Sequence, residues 1–427
     1  MTVPTLIEGW SDRTSEACAG RHVLAIQDTS EVKFPTTAQR RRGLGPVGKG
    51  NAYGVLVHAM IAVDATSGSC LGLVGGDVWS RDGVNPTPHR HRPLAERESV
   101  RWIDTAQQAK SVLASATMVT VVADREADIY PAWASVPDTN IHMLGRAMSD
   151  RLLAGGGTLF TAAAQFPVAG RRVLGLDPRI ELRAHDPAHP KRTAVVELRY
   201  GEVEICQPRN ARDHSLPPTV RLPLVDVREA CPRALDPRIN PPEGVEPLHW
   251  RLLTTHEITD AAGAWQIVRW YQLRWVIEQL FRVMKSQGLQ LEACPRALDP
   301  GDSQLASAER LVKLTAAATK AACVDIQLTQ GRDGTDQMPA SNLFSEPEID
   351  TLVVLGPTLE GTTDRQQNHY PMRTLAWAAW IIARLGGWNC YYQPPGPITF
   401  RRGMEQFYPI HRGRLLEMML KQDVRIP

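Results

Sequence analysis

The side chains best suited to chemistry occur together in the stretch WYQLRWVIEQLFRVMK, residues 270–285. If this stretch is one continuous helix that turns by about 100° per residue, a single polar stripe carries Tyr271, Arg274, Glu278, Arg282 and Lys285. One carboxylate among cationic and phenolic groups suits a divalent metal ion beside a phosphodiester, because the carboxylate binds the ion while the other groups bind phosphate oxygens. A solvated face with helix-stabilising charge pairs is the alternative interpretation.

The opposite side of the same stretch is apolar, which predicts that the helix packs against a core. The residues of this apolar arc are Trp270, Leu273, Val276, Ile277, Leu280, Phe281 and Met284. A docked helix needs further acidic residues from elsewhere in the chain if it is to help hold a pair of metal ions.

Two aspartates elsewhere in the chain can supply these further acidic residues. In HVLAIQDTSE, the apolar run 23–26 predicts a buried strand whose C-terminal end projects Asp28. In MVTVVADREADIY, the β-branched run 119–122 precedes Asp124 in the same way, before a predicted helix. For each aspartate taken alone, a strand-ending turn or a helix cap is the more common role. Together with Glu278 they provide the ligands for two hard divalent cations about 3.5–4 Å apart.

These motifs carry a resemblance to a known family. IQDTSE, VVADREADIY and the Tyr-x2-Arg-x3-Glu-x6-Lys signature at 271–285 resemble the bacterial cut-and-paste transposases with a DDE core, and most closely the transposon-five group of the insertion-sequence-four family. The similarity extends over nearly the whole chain. It implies a transposase that cleaves and joins transposon ends by phosphodiester hydrolysis followed by strand transfer.

The resemblance also implies residue roles. The metal ligands would be Asp28, Asp124 and Glu278, holding two Mg²⁺ ions for which Mn²⁺ can substitute. The DNA backbone would be contacted by Tyr271, Arg274 and Lys285, and the position of Arg282 on the stripe adds it to this group. Trp250 stands where family members carry a tryptophan that stacks on a flipped base. An ordinary core tryptophan is the alternative role.

The fold expected from the resemblance is an α/β ribonuclease-H-like catalytic core with an inserted mainly-β domain and an α-helical C-terminal region. The expected divisions are a remnant N-terminal region (1–20), the first part of the core (21–130), the β-rich insertion (131–249), the second part of the core (250–300) and a helical dimerisation region (301–427). The expected partners are double-stranded DNA and, in the DNA complex, a second copy of the chain.

Two other functional classes remain open. A ribonuclease-H-like nuclease or resolvase would use the same triad without strand transfer. A non-catalytic DNA-binding regulator would keep the basic stripe without needing the carboxylates.

The composition of the chain limits the kind of DNA-binding surface it can have and the cellular compartment expected for it. The formal net charge of this 427-residue chain is only +2, so a DNA-binding surface must be a local basic patch. Its seven cysteines include no Cys-x-x-Cys pair, which is typical of a reduced, cytosolic protein. No signal peptide is evident, and the most apolar predicted helix, from Leu375, is too short to cross a bilayer. We expect a bacterial cytoplasmic protein associated with the nucleoid when bound to DNA.

The glycine-rich stretch QRRRGLGPVGKGN follows the first aspartate. It looks like a nucleotide-binding loop, but a β-rich run follows it instead of a helix. We therefore expect a loop that contacts DNA phosphates through Arg40, Arg41, Arg42 and Lys49.

Two features depart from the family pattern. Relatives place a helical DNA-recognition domain before the first aspartate, whereas only 27 residues precede Asp28 here. This predicts a shortened chain that inhibits transposition by pairing with a full-length relative. The segment EACPRALDP also occurs twice, at 229–237 and 292–300, as an insertion in loops.

Overall fold

The fold is taken from a computed structural model, which describes residues 2–34, 43–48, 52–81, 97–176, 192–209, 213–230, 246–287, 289, 291 and 307–423. Two compact units make up the chain. Unit 1 comprises Met1–Val119 with Trp275–Pro427, and unit 2 is Thr120–Arg274. The predicted phosphate-binding loop residues Arg40, Arg41, Arg42 and Lys49 lie outside the described residues, as do the second EACPRALDP copy and most of the first.

The described elements are a mixture of strands and helices, in which β1–β4 and β7–β10 are runs of strands and α6–α11 is a run of helices. The strands are β1 His22–Phe34, β2 Gly45–Pro46, β3 Tyr53–Asp64, β4 Cys70–Trp79, β5 Met118–Ala123, β6 Ile141–Arg146, β7 Val168–Leu176, β8 Arg192–Cys206, β9 Thr219–Glu229 and β10 His249–Thr254. The helices are α1 Val3–Glu8, α2 Thr14–Cys18, α3 Arg101–Val112, α4 Tyr130–Ser135, α5 Leu159–Gln165, α6 Ala261–Gln272, α7 Trp275–Arg282, α8 Ala308–Gly331, α9 Glu346–Leu359, α10 Leu375–Leu385 and α11 Pro397–Asp423.

In unit 1, strands β1, β3 and β4 form an antiparallel sheet. The short β2 pairs with the first residues of β3. The β-rich run expected after the glycine-rich stretch is confirmed as β3, which pairs with β4. Nearly every residue of β3 is buried, which shows that both faces of this central strand are covered. Gly76 has a φ of +151°, and a Cβ there would lie 2.1 Å from the carbonyl oxygen of His58. Only glycine permits this close approach of β4 to β3.

Strand β1 differs from its prediction. The expected end of the strand at Asp28 is wrong, because β1 continues to Phe34. The physical reason is its pairing with β3, which extends without interruption from the pair Val23–Asp64 to the pair Phe34–Tyr53. Asp28 therefore lies in the middle of a strand.

The N-terminal segment, whose sequence has little periodicity, is helical and belongs to the core of unit 1. Helices α1 and α2 pack on β4, and α1 also contacts α8. Between them, Trp10 is buried and its indole Nε1 donates a hydrogen bond to the carbonyl oxygen of Ala316, at 3.1 Å. Residues far apart in sequence thus hold this segment in place.

The C-terminal part of unit 1 is helical, as predicted. Helix α8 packs against β3 and β4, and α10 packs against α8, α9 and α11. Helix α10 ends at Leu385 with Gly386 as its C-cap, the position at which the Gly386-Gly387 pair predicts a stop. No helix in the described part of the chain combines the length and apolar composition needed to cross a membrane.

Unit 2 is strand-rich between Tyr130 and Trp250, as expected. Its antiparallel strands follow the order β6, β10, β9, β8, β7. Helix α5 packs on β8 and β9, while α6 contacts β8, β9 and β10. The unit ends at Arg274, within the stretch that the sequence presents as a single helix.

That continuous helix is not observed, and the prediction of one helix over 270–285 is wrong. Helix α6 ends at Gln272, Leu273 and Arg274 form a turn, and α7 starts at Trp275. The backbone N–H of Arg274 donates to the carbonyl oxygen of Tyr271 at 3.1 Å, a tight i to i−3 bond that interrupts the α-helical ladder. After α7, residues Val283–Gln287 form a π-helix. A uniform rotation of 100° per residue therefore does not relate the five polar side chains.

Candidate active site

Asp28 lies where strand β1 emerges from the core of unit 1. The strand is buried from Val23 to Gln27 and becomes half-buried at Asp28. The backbone N–H of Thr29 donates to Asp28 Oδ1 at 2.8 Å. The strand thus places a partly accessible carboxylate at the boundary of a rigid apolar core.

A buried polar network fixes β1 on both sides of Asp28. His58, on β3, is hydrogen-bonded through Nδ1 to Thr29 Oγ1 at 2.8 Å and through Nε2 to Gln27 Oε1 at 3.2 Å. Gln27 in turn donates from Nε2 to the carbonyl oxygen of Trp102, at 3.2 Å. Burial, assisted by the charge of Arg101, lowers the pKa of His58 from 6.5 to about 3. A neutral imidazole therefore tethers the residues that flank Asp28.

Glu278 lies on helix α7, which contacts β1 within unit 1. The apolar face predicted for this segment is confirmed in α7, since Val276, Ile277, Leu280 and Phe281 are all buried. Glu278 is half-buried. Two of the three predicted carboxylates are thus carried by elements of unit 1 that pack together.

The two basic residues that follow Glu278 also belong to unit 1. Arg282, the last residue of α7, is half-buried, and its Nε atom is buried without a hydrogen-bond partner among the described residues. Lys285 lies on the π-helix and is half-buried. Short π-helical segments occur frequently at functional sites.

Asp124 belongs to unit 2 and directly follows β5, as the sequence predicts. It caps the short 3₁₀ helix Arg125–Ala127, and its Oδ1 accepts a hydrogen bond from the backbone N–H of Glu126 at 2.8 Å. The cap role left open by the sequence is therefore present. Asp128, four residues later, is buried and paired with Arg151 at 2.8 Å, so it is a structural residue.

Tyr271, at the C-terminal end of α6 in unit 2, is only 4% exposed. Its expected place on a polar face is therefore wrong, because Tyr271 continues the buried face of α6 that carries Ala264, Ile267 and Val268. Burial raises the pKa of its phenol, and Asp124 adds to this increase, whereas Arg274 and Arg146 act in the opposite direction. Arg274 also hydrogen-bonds the phenol. Unit 2 thus brings Asp124, Arg146, Tyr271 and Arg274 into one electrostatic cluster.

Trp250 lies on β10 in the same unit and is 4% exposed. The edge of one ring meets the face of the other between Trp250 and Tyr271, with centroids 5.3 Å apart and planes at 70°. This packing is typical of aromatic pairs in cores. In this structure Trp250 therefore occupies a core position.

Arg146 is the member of the cluster that the sequence did not reveal. It ends strand β6, is paired with Leu252 of β10, and donates from Nη2 to the carbonyl oxygen of His249 at 2.7 Å. The only signal was a basic residue at the end of an apolar strand, IHMLGR, which many surface arginines share. Its place beside Tyr271 depends on the sheet.

Carboxylate oxygens are the ligands that hard divalent cations prefer, and the chemistry of Asp28, Asp124 and Glu278 fits them. Among the residues described, however, no group of three or more His, Cys, Asp or Glu side chains is arranged to hold a metal ion.

One comparison with known proteins covers well over half of the chain. A family model described as a transposase DDE domain matches residues 20–297, a segment that includes Asp28, Asp124 and Glu278. Among solved structures, the chain is similar to the piggyBac transposase in a cryo-EM structure of its synaptic complex with hairpin DNA. That similarity has a TM-score of 0.34 and 9% sequence identity, and it covers 77% of this chain and 59% of the piggyBac chain. The chain thus spans less than two thirds of the piggyBac transposase.

Proposed function

Because the chain belongs to the transposase DDE-domain family, we propose that it is a metal-dependent DNA transposase of the transposon-five group. The observation that carries the proposal is the family match over residues 20–297, which contains all three candidate carboxylates. The proposed reaction is hydrolysis of a phosphodiester at each transposon end, followed by attack of the freed 3′-hydroxyl on target DNA.

Asp28, Asp124 and Glu278 are the proposed ligands of two Mg²⁺ ions, with Mn²⁺ as a substitute. Bound ions of this kind activate the attacking oxygen and stabilise the leaving oxygen. Support comes from the half-buried carboxylates of Asp28 and Glu278 on contacting elements, where fewer water molecules compete with a metal ion for the carboxylate oxygens. The His58 network holds the strand that carries Asp28 and so limits its movement.

We assign the phosphate contacts to Arg274, Arg282 and Lys285. We add Arg146, because both it and Asp124 act on the pKa of Tyr271 and therefore lie near the same phenol. A guanidinium group binds a phosphate through two parallel N–H donors, which positions the DNA as well as attracting it. Tyr271 is buried, so its proposed role is to position Arg274 through their hydrogen bond.

The proposed fold of the catalytic part is ribonuclease-H-like. The antiparallel strands β1, β3 and β4, followed by α3 and then β5, supply the beginning of such a core. The proposed partners are double-stranded DNA and a second copy of the chain, in the bacterial cytoplasm and at the nucleoid.

The test uses the purified chain and a linear DNA that carries the transposon ends flanking its gene. With Mg²⁺, the wild type should cleave these ends, and EDTA should stop cleavage. Glu278→Gln, Asp28→Asn and Asp124→Asn should each reduce the cleavage rate by roughly a thousandfold or more, the effect of losing a main catalytic group. Circular dichroism should show a native fold for all three.

Asp104→Asn is the matched control, because Asp104 is an exposed acidic residue on α3. It should cleave at the wild-type rate. Wild-type cleavage by Glu278→Gln would remove this residue from the triad. Cleavage of the ends without their joining to a target plasmid would instead identify a nuclease.

A further inference from the structure

The part of the unit 2 sheet formed by β7, β8, β9 and β10 has two different faces. One face is apolar, packs against α6 and buries Val196, Leu198, Val227 and Leu252. Because successive side chains of a strand point to opposite faces, the residues next to these lie on the other face. We call that side the charged face, and its members are Arg171, Glu197, Arg199, Asp226, Arg228, His249 and Arg251.

The side chains of the charged face form two rows that cross the strands. The pairing of the strands sets the first row as Arg171, Glu197, Arg228 and His249. It sets the second row as Arg199, Asp226 and Arg251. Neighbouring strands lie about 4.8 Å apart, so the first row extends for about 14 Å across the sheet.

Positive charge is in excess on the charged face. Among the described residues of these four strands, it carries four arginines and one histidine against two carboxylates. Asp150 is a further acid that acts on Arg251 and offsets part of this excess. The positive charge is therefore concentrated in the first row. A chain with a net charge of only +2 needs a local patch of this kind to bind a polyanion.

The two carboxylates anchor the cations of the charged face. Asp226 is fully buried, and its oxygens lie 2.5 Å from Nε of Arg228 and 2.8 Å from Nε2 of His249. Glu197 lies 2.6 Å from Nη2 of Arg171. A guanidinium group has five N–H donors and a carboxylate has about four acceptor sites, so two carboxylates cannot occupy the donors of four arginines. The five cationic side chains are 22–66% exposed, so a ligand can reach them.

Anchored guanidinium groups in a row suit the phosphates of a nucleic-acid backbone. Each group can bind a phosphate through two parallel N–H donors. One strand of duplex DNA presents a phosphate for about every 3.4 Å along the helix axis, so a row about 14 Å long spans several phosphates. Contacts to phosphates attract and orient DNA without reading its sequence.

We propose that the charged face binds the sugar–phosphate backbone of duplex DNA independently of its sequence. The inference rests on the proposed function, from which it takes duplex DNA as the partner. It adds a surface to that function, because the charged face lies within unit 2 and includes none of the residues assigned to metal ions or phosphates in the candidate active site.

The test is fluorescence anisotropy of the full chain with a labelled duplex that lacks transposon ends, in EDTA and at several salt concentrations. Arg171→Gln and Arg228→Gln should each reduce the slope of log affinity against log salt concentration by about 0.9, the effect of one lost phosphate contact. Glutamine keeps a donor for Glu197 or Asp226. Circular dichroism checks the fold, and Arg171→Gln decides the result if Arg228→Gln does not fold, because the Arg171 side chain is 66% exposed.

Arg221→Gln is the matched control. Arg221 is an exposed arginine on β9, the strand that also carries Arg228, but it lies on the opposite face of the sheet. The control removes the same charge and should leave the slope unchanged. Wild-type slopes in the folded test variants would overturn the proposal, as would an equal reduction in Arg221→Gln.

Cleavage of transposon ends by the wild type with Mg²⁺ is measured separately, so the two proposals can fail separately. Wild-type cleavage together with unchanged slopes in the test variants would refute the charged face and leave the proposed function standing. Reduced slopes in the test variants without any wild-type cleavage would support the charged face as a DNA-binding surface and refute the proposed enzyme.

Discussion

Tyr271 and Trp250 show at the residue scale how burial changes the role of a side chain. Both are polar-edged aromatic residues that the sequence places in contact with DNA, and both are 4% exposed, with their rings in contact in unit 2. The main contribution of a tryptophan packed in this way is to the stability of the folded protein. Stacking on a flipped base would require its face to become accessible.

Trp250→Ala should therefore lower the free energy of unfolding by roughly 3–5 kcal/mol, the usual loss when a large aromatic residue is removed from a core. Trp250→Phe should lower the free energy of unfolding by less, because it keeps an aromatic ring beside Tyr271. Urea denaturation followed by circular dichroism measures both. Tyr392→Ala, at an 84% exposed aromatic residue, is the control and should stay within about 0.5 kcal/mol of the wild type. Full stability of Trp250→Ala would argue against a core role.

His58 links the candidate site to acid stability. Its pKa is about 3 in the folded protein against 6.5 for the free side chain. Between these values the unfolded chain binds a proton that the folded protein does not. The stability that His58 contributes is therefore complete above pH 6.5 and is lost as the pH falls towards 3, at about 1.4 kcal/mol per pH unit.

In His58→Gln, the loss of stability between pH 6.5 and pH 4 should be smaller than in the wild type by up to about 3 kcal/mol. Denaturant melts across this pH range provide the measurement. His369→Gln supplies the control, because the His369 side chain is 63% exposed. If His58→Gln and the wild type lost stability equally on acidification, burial of a neutral imidazole at this position would be the wrong explanation.

At the scale of elements, the break between α6 and α7 divides the polar residues into two groups. Tyr271 and Arg274 belong to unit 2, whereas Glu278, Arg282 and Lys285 belong to unit 1. The second group follows the apolar face that packs α7 within unit 1. Its two cations are therefore presented by an anchored helix and the π-helical segment that continues it.

If these cations bind DNA phosphates, Arg282→Ala and Lys285→Ala should each reduce the slope of log affinity against log salt concentration by about 0.9 for duplex DNA. Fluorescence anisotropy at several salt concentrations measures this slope. Lys313→Ala is a suitable control, because Lys313 on α8 already pairs with Glu309 at 2.6 Å. Unchanged slopes in both test variants would favour a solvated, purely structural face.

At the scale of the whole molecule, the exposed C-terminal end of α11 bears on how the chain associates with a second copy. Its last turns expose a contiguous apolar series, Leu415, Leu416, Met418, Met419 and Leu420. Large apolar side chains that cluster on a surface commonly mark an interaction site. A second copy of the chain is the partner that we propose for this end of the helix.

Leu416→Glu combined with Leu420→Glu places charges on one face of α11, since residues four apart are neighbours on a helix. The double variant should weaken self-association by at least roughly tenfold, measured by sedimentation equilibrium with transposon-end DNA present. Val354→Glu, an exposed apolar position on α9, should associate like the wild type. Self-association of the double variant at wild-type strength would assign the dimer interface elsewhere.

Sequence alone determined the features that depend on local pattern. The apolar runs before Asp28 and Asp124 predict buried strands, and the spacing of Val276, Ile277 and Leu280 predicts the packed face of α7. Each follows from which side chains neighbouring residues present to a core.

Tertiary structure decided what depends on residues distant in sequence. The pairing with β3 keeps β1 extended beyond Asp28, and the core of unit 2 buries Tyr271 beside Trp250. A cavity in unit 1 that Asp325 lines is formed by segments from the N-terminal region to α11. No local sequence pattern indicates that these segments pack together. The physical reason is that burial and electrostatic surroundings are set by all the segments packed around a side chain, whereas periodicity describes only its own element.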